Sequence, residues 1–118
     1  MGYKTNYDLT IKTRRNKEVP PELVEDLIAE IRSQNDEAQF AFQTNGRCSG
    51  EGASWYHHEM HMRAFSKAHP DFLFILHGQG EGRGSPEPDI WNKYFLGGKM
   101  QAEKAKMQIN PFDPTKLE

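Results

Sequence analysis

Tyr3, Tyr7, Leu9 and Ile11 occupy odd positions with Asp8, Thr10 and Lys12 between the later ones, the period of a strand with one buried face. A first strand is predicted over residues 5 to 13. Pro20-Pro21 then opens a segment in which Leu23, Val24, Leu27, Ile28 and Ile31 recur at helical spacing. Acids fill its first turns, where the helix macrodipole favours them. This predicts a helix over residues 21 to 34, and each aliphatic side chain it fully buries contributes about 1.5 to 3 kcal/mol toward pinning it on a sheet. Phe40 and Phe42, alternating with Gln39, Ala41 and Gln43, read as a second strand.

Residues 45 to 54, Asn-Gly-Arg-Cys-Ser-Gly-Glu-Gly-Ala-Ser, are small and turn-prone and predict a loop, with Ser54 as the N-cap of a second helix. Trp55, Met62 and Phe65 form the apolar stripe of that helix, which Pro70 ends near Ala68. Phe72 to Leu76 is a continuous apolar run, the mark of a strand covered on both sides or central in its sheet. Beyond a Gly- and Pro-rich loop, Ile90 to Leu96 and Lys99 to Ile109 flank Gly97-Gly98, the pair that supplies the positive φ angles of a tight hairpin. Asn110-Pro111 and Asp113-Pro114 cannot continue a strand, so residues 110 to 118 are expected as a frayed tail. The order β-α-β-α-β-β-β predicts an α+β sandwich of two layers, with both helices on one face of a mixed sheet. Strands joined through a crossover helix tend to lie parallel, and the hairpin must be antiparallel.

Length and composition then bound the possibilities. The 118 residues are enough for one domain spanning 1 to 118 and no second core. Thirteen aromatics, with 36% hydrophobic and 27% charged residues, are too many for a disordered chain. No apolar run reaches the roughly 18 residues that cross a bilayer, nor do the first 30 residues read as a secretion signal, so a cytoplasmic protein with no membrane partner is expected. The single Cys48 can form neither an internal disulfide nor a cysteine-based zinc site, which agrees with a reducing compartment. The net charge of -2 hides two blocks. Residues 1 to 17 carry five basic residues against Asp8, while residues 18 to 37 carry seven acids against Arg32 alone. Such a balance argues against a dedicated nucleic-acid binder, which presents a broad basic face. The acidic helix could meet a basic partner surface, or be ordinary solvated surface.

From residue 54 onward, Trp55-Tyr56, Phe65-Ser66-Lys67-Ala68-His69-Pro70-Asp71, Phe72-Leu73-Phe74, Asp89-Ile90-Trp91-Asn92-Lys93-Tyr94-Phe95 and Gly97-Gly98-Lys99 form a recognisable series. It resembles small proteins of phages and other mobile elements that carry a helix ending in a Phe-Ser and Pro-Asp signature, a strand, and an Asp-Ile-Trp hairpin with a glycine turn. These are similar in layout to the ferredoxin-like domains of the YubB type. The resemblance covers about residues 54 to 101. It implies a ferredoxin-like arrangement and a phage or mobile-element setting inside a bacterial host cell, and it transfers no catalytic residue.

All five histidines, His57, His58, His61, His69 and His77, fall within 21 residues. His57 and His61 have the i, i+4 spacing that brings two imidazoles to one metal, with Glu59 between them. The His-Glu-x-x-His pattern is absent, because His58-Glu59-Met60-His61 is one residue short and turns the second ring away by about 100°. His57 and His61 are therefore expected on a solvated helix face, with no metal and no cofactor, and His58 and His69 as partly buried structural groups. The run Gly78-Gln79-Gly80-Glu81-Gly82-Arg83-Gly84-Ser85 satisfies neither the dinucleotide-binding nor the P-loop spacing, and no helix follows it. Cys48 near Ser49 and Ser54 has no base fixed beside it, so no nucleophilic site is read. Alternate hairpin positions must face away from the helices, so either Trp91, Lys93 and Phe95 or Ile90, Asn92 and Tyr94 line the open side, where exposed aromatics make binding hot spots or a satellite core covered by the tail.

No catalytic constellation emerges, and a non-enzyme is expected. The expected function is a phage or mobile-element accessory protein that binds a host protein, such as an anti-defence inhibitor. Its binding residues are Glu81 and Arg83 in the glycine loop, the hairpin aromatics Trp91 and Tyr94, Trp55, and Arg47. The alternative is a small-molecule or nucleotide-signal sponge, in which Arg83, Arg47 or Lys99 contacts an anion and Trp55 or Trp91 stacks on the ligand. A homodimer through the free edge of the hairpin is a further expectation.

Overall fold

The computed structural model describes residues 4–48, 52–80, 89–104 and 114–116. Its elements are β1 (Thr5–Thr13), α1 (Pro21–Gln34), a 3₁₀ turn (Asp36–Phe40), α2 (His58–Ala68), β2 (Phe72–Gly80), β3 (Ile90–Leu96), β4 (Lys99–Lys104) and a short 3₁₀ turn (Pro114–Lys116). The four strands form one open sheet in the order β1-β2-β3-β4, and every neighbouring pair is antiparallel.

The α+β class and the two layers are as expected. The mixed pairing and the ferredoxin-like interleaving are not. The segment around Phe40 and Phe42 is no strand, because its buried residues are Ala38, Ala41 and Phe42. That is an i, i+3, i+4 spacing, which turns the chain helically and leaves Phe40 in solvent. Without a strand between the helices, α1 and α2 follow one another before the chain re-enters the sheet. Two successive helices return it to the end of the sheet where β1 finished, with Thr13 paired to Phe72, so β2 runs antiparallel to β1. Register places Tyr7, Leu9 and Ile11 beside Gly78, Leu76 and Phe74, and these in turn beside Trp91, Lys93 and Phe95. This face carries both helices: Leu27, Ile28 and Ile31 of α1 and Met62 and Phe65 of α2 complete one hydrophobic core with it.

The open choice in the hairpin is thereby settled. Trp91, Lys93 and Phe95 point under the helices, while Ile90, Asn92 and Tyr94 share the opposite face with Leu73, Ile75 and His77. β2 is central, as its apolar run implied, and extends to Gly80. Ser54 does not cap α2, which starts at His58 with His57 as N-cap. Trp55 is 1% exposed in a non-helical segment, where its carbonyl accepts hydrogen bonds from the Tyr7 hydroxyl at 3.4 Å and the His58 ring at 2.9 Å. Those bonds hold the chain out of helical conformation for one further turn. The second strand of the hairpin is described to Lys104, and its expected continuation to Ile109 and most of the expected tail lie outside the described residues. No helix of the described residues is long and apolar enough to cross a membrane.

Candidate functional site

The start of α2 lies over the end of the sheet where β2 and β3 open into residues 81–88, and the polar and aromatic side chains of both layers meet there. Trp55 and Trp91, named from the sequence, come together in a cleft of about 200 Å³ lined by Thr5, Tyr7, Ser54, Trp55, Tyr56, His58, Trp91 and Lys93. Trp55 forms its floor, with Tyr7 edge-on at 5.6 Å. The Trp91 indole lies across Gly78, where a Cβ would sit 2.1 Å from Cζ2, and the His58 imidazole stacks on it at 5.2 Å and 15°.

The hydrogen bonds define the protonation of this cluster. The Trp55 carbonyl can only accept, so the His58 Nδ1 bonded to it at 2.9 Å carries the hydrogen. Lys93 Nζ approaches Nε2 at 2.7 Å, and an ammonium can only donate, so Nε2 presents its lone pair. Both neighbours therefore select the neutral Nδ1–H tautomer. Burial pulls the His58 imidazole below its ordinary value of 6.5, and the adjacent Lys93 charge acts in the same direction. Lys93 also donates to Glu59 Oε2 at 2.8 Å and lies 4.2 Å from the Trp91 ring centroid. That hydrogen bond holds the Glu59 carboxyl below the usual carboxylate range. Lys93 is therefore paired on two sides and covered by an aromatic face.

The neighbouring histidines are committed as well. Trp55 Nε1–H donates to His61 Nδ1 at 2.9 Å, and the His57 ring bonds Glu37 Oε1 at 2.9 Å while its backbone N–H reaches Oε2 at 3.3 Å. The His57 hydrogen bond lowers the Glu37 carboxyl and ties the 3₁₀ turn to the N-terminus of α2. His61 is thus half-buried rather than on a solvated face, and His57 precedes the helix. His58 and His69 are the half-buried structural groups the sequence implied, His69 lying 3.2 Å from Glu30 and 4.4 Å from the Phe65 ring. No group of three or more His, Cys, Asp or Glu among the described residues is placed to hold a metal ion.

The remaining sequence-predicted residues do not join this cleft. Tyr94 is on the opposite sheet face, where its hydroxyl accepts from Asn92 Nδ2 at 3.4 Å. Arg47 lies on the 43–48 turn along the outer edge of β1 and lines a separate cleft of about 510 Å³ with Lys12, Glu18 and Glu25. Lys12 is bonded to Glu18 there at 2.8 Å, and two acids beside two bases leave no net attraction for an anion. Glu81 and Arg83 lie outside the described residues. The ends of their segment are described: the Gly80 N–H donates to the Asp89 carbonyl at 2.8 Å, two residues from Trp91.

Sequence reading missed the exposed apolar side chains around this cluster. Phe40 is 71% exposed, Tyr56 67% and Met60 60%. Phe40 and Ser54 border a second cleft of about 270 Å³ with Asp36 and Glu37, and Ser54 and Tyr56 border the first. The two clefts therefore meet at Ser54, with Met60 in the opening turn of α2. The i, i+3, i+4 spacing of Ala38, Ala41 and Phe42 was the available signal that Phe40 points outward. No family model, curated protein or solved structure matches the chain.

Proposed function

We propose that this protein is a non-enzymatic accessory protein that docks on a second protein through the surface around Ser54. The observation that carries the reading is the exposure of Phe40 and Tyr56 beside two clefts that share Ser54, with Met60 also exposed in the opening turn of α2. Large aromatic and Met side chains are enriched where binding energy concentrates, and clustered apolar exposure is costly for a chain that stays alone. The titratable groups nearby favour docking over catalysis. His58 Nε2, Lys93 and Glu59 satisfy one another, and Trp55 occupies His61 Nδ1, so a bound substrate would have to break existing pairs to recruit a base. Asp36 and Glu37 line the cleft beside Phe40, which fits a partner with an apolar pocket rimmed by lysine or arginine.

The resemblance over residues 54 to 101 supplies the setting, a phage or mobile-element protein occupying a host protein in the bacterial cytoplasm. The test is affinity capture from bacterial lysate with the wild type and the Phe40→Ser/Tyr56→Ser variant, read by quantitative mass spectrometry after equal melting temperatures are verified. A protein enriched by the wild type and lost with the variant supports the reading. Equal capture by both, or none by the wild type, removes it.

A further inference from the structure

We propose that two copies of this chain join edge to edge along β4, antiparallel and in a register centred on Gln101, so that their sheets form one of eight strands. The two edges of the sheet are unequal. β1 is closed by loop segments, with backbone bonds from Thr5 to Ala53, Leu9 to Gly46 and Thr13 to Lys17. β4 is the last strand, and five of its six residues are exposed.

Pairing parity fixes which groups it presents. Leu96 and Lys99 flank the two-residue Gly97-Gly98 turn and in such a hairpin form the closing hydrogen-bonded pair. The amides and carbonyls of Lys99, Gln101 and Glu103 therefore point at β3, and those of Met100 and Ala102 point away from the sheet. Among the described residues no backbone group pairs with that outward row.

A second antiparallel strand must bond to this row. Its two-fold axis passes through a residue, because an axis between residues would set an outward group against an inward one. Centred on Met100, the register opposes Lys99 to Gln101. Centred on Ala102, it opposes Met100 to Lys104 and Gln101 to Glu103. Centred on Gln101, it opposes Lys99 to Glu103 twice by symmetry, and lets Met100 and Ala102 exchange both backbone bonds. Only this last register sets opposite charges across from one another. Both charge pairs fall at non-hydrogen-bonded positions, where opposed side chains approach most closely. Charged residues on an edge strand ordinarily prevent such contacts. Here the alternation Lys99, Gln101, Glu103 makes the edge complementary to itself.

Sedimentation velocity over a concentration series tests the dimer. Lys99→Glu and Glu103→Lys each convert both cross-strand pairs to like charges, and each should raise the dimer dissociation constant roughly tenfold or more. The double exchange Lys99→Glu/Glu103→Lys restores both pairs and should return it to within about threefold of wild type. In a Cys48→Ser background, mild oxidation should link Gln101→Cys into a disulfide dimer and leave Met100→Cys without a covalent link, since only the central residue meets its own copy at a non-hydrogen-bonded position. A wild type that stays monomeric at about 100 µM overturns the proposal, as does a dimer that the double exchange fails to restore.

Discussion

Gly78→Ala adds one methyl group and probes how the aromatic cleft is held. Gly78 continues the inward alternation of Phe74 and Leu76, and it is absent from the glycines with positive φ. In an open position such a change would be neutral or stabilise by about 0.4–1 kcal/mol through the unfolded chain. The sign is reversed by Trp91, whose Cζ2, Cε2 and Cη2 would lie 2.1, 2.3 and 2.6 Å from the new Cβ. Reaching an ordinary contact of 3.4 Å requires the indole to move by about 1.3 Å, away from the central strand and into the His58 ring stacked on it. Overpacking of this kind costs about 1–3 kcal/mol, and a disrupted aromatic pair adds about 0.5–1.5. The expected loss is about 3 kcal/mol, a fall of roughly 10–15 °C in Tm for a domain of this size. Urea unfolding followed by tryptophan fluorescence and far-ultraviolet circular dichroism measures it. The decisive comparison is the same substitution in a Trp91→Leu background, where the obstructing ring is gone and the cost should drop below about 1 kcal/mol. Equal losses in the two backgrounds would show that Trp91 is not the cause and would refute the packing argument.

Other predictions concern charge, the turn and the loop at the β1 edge. His58 has a folded-state pKa below its unfolded value, so the unfolded chain binds the extra proton first, and stability falls as pH drops below about 6.5. His58→Asn should flatten Tm against pH in that window, while the lowered carboxyls of Glu37 and Glu59 act below about 4.5; an unchanged slope refutes the assignment. Ser66→Ala removes the buried hydroxyl that accepts from the Gly98 N–H at 2.9 Å and donates to the Arg63 carbonyl at 3.0 Å, and should cost about 1–3 kcal/mol in urea unfolding. Gly46→Ala, at φ +87 with a Cβ 2.3 Å from the Leu9 carbonyl oxygen, should lose about 2 kcal/mol or more. Gly97→Asn, at φ +59 in open space, should change stability by under about 0.5 kcal/mol on the same assay.

Local patterns fixed the elements whose periodicity is carried by their own residues. The helix over 21 to 34, the strands at 5 to 13 and 90 to 96, and the glycine turn stand where alternation, helical spacing and proline place them. The strand expected over residues 39 to 43 failed because so short a stretch suits either period, and burial of Ala38, Ala41 and Phe42 against the core selected the helical one. Losing that strand changed the sheet from mixed to antiparallel. At the candidate site, Trp55 and Trp91 were visible as large aromatics, but their meeting was not. The Lys93 contacts with His58 and Glu59 span more than 30 residues of sequence and depend on which hairpin face the helices cover. The same choice sent Tyr94 to the opposite side.

What the sequence determined by itself is the set of strands and helices that follow from spacing along the backbone. Tertiary structure alone decided strand direction, the covered face of the hairpin and the neutral tautomer of His58. Each of these depends on desolvating groups far apart in the chain against one another, and side chains separated by 34 or 48 residues leave no periodic trace of that contact.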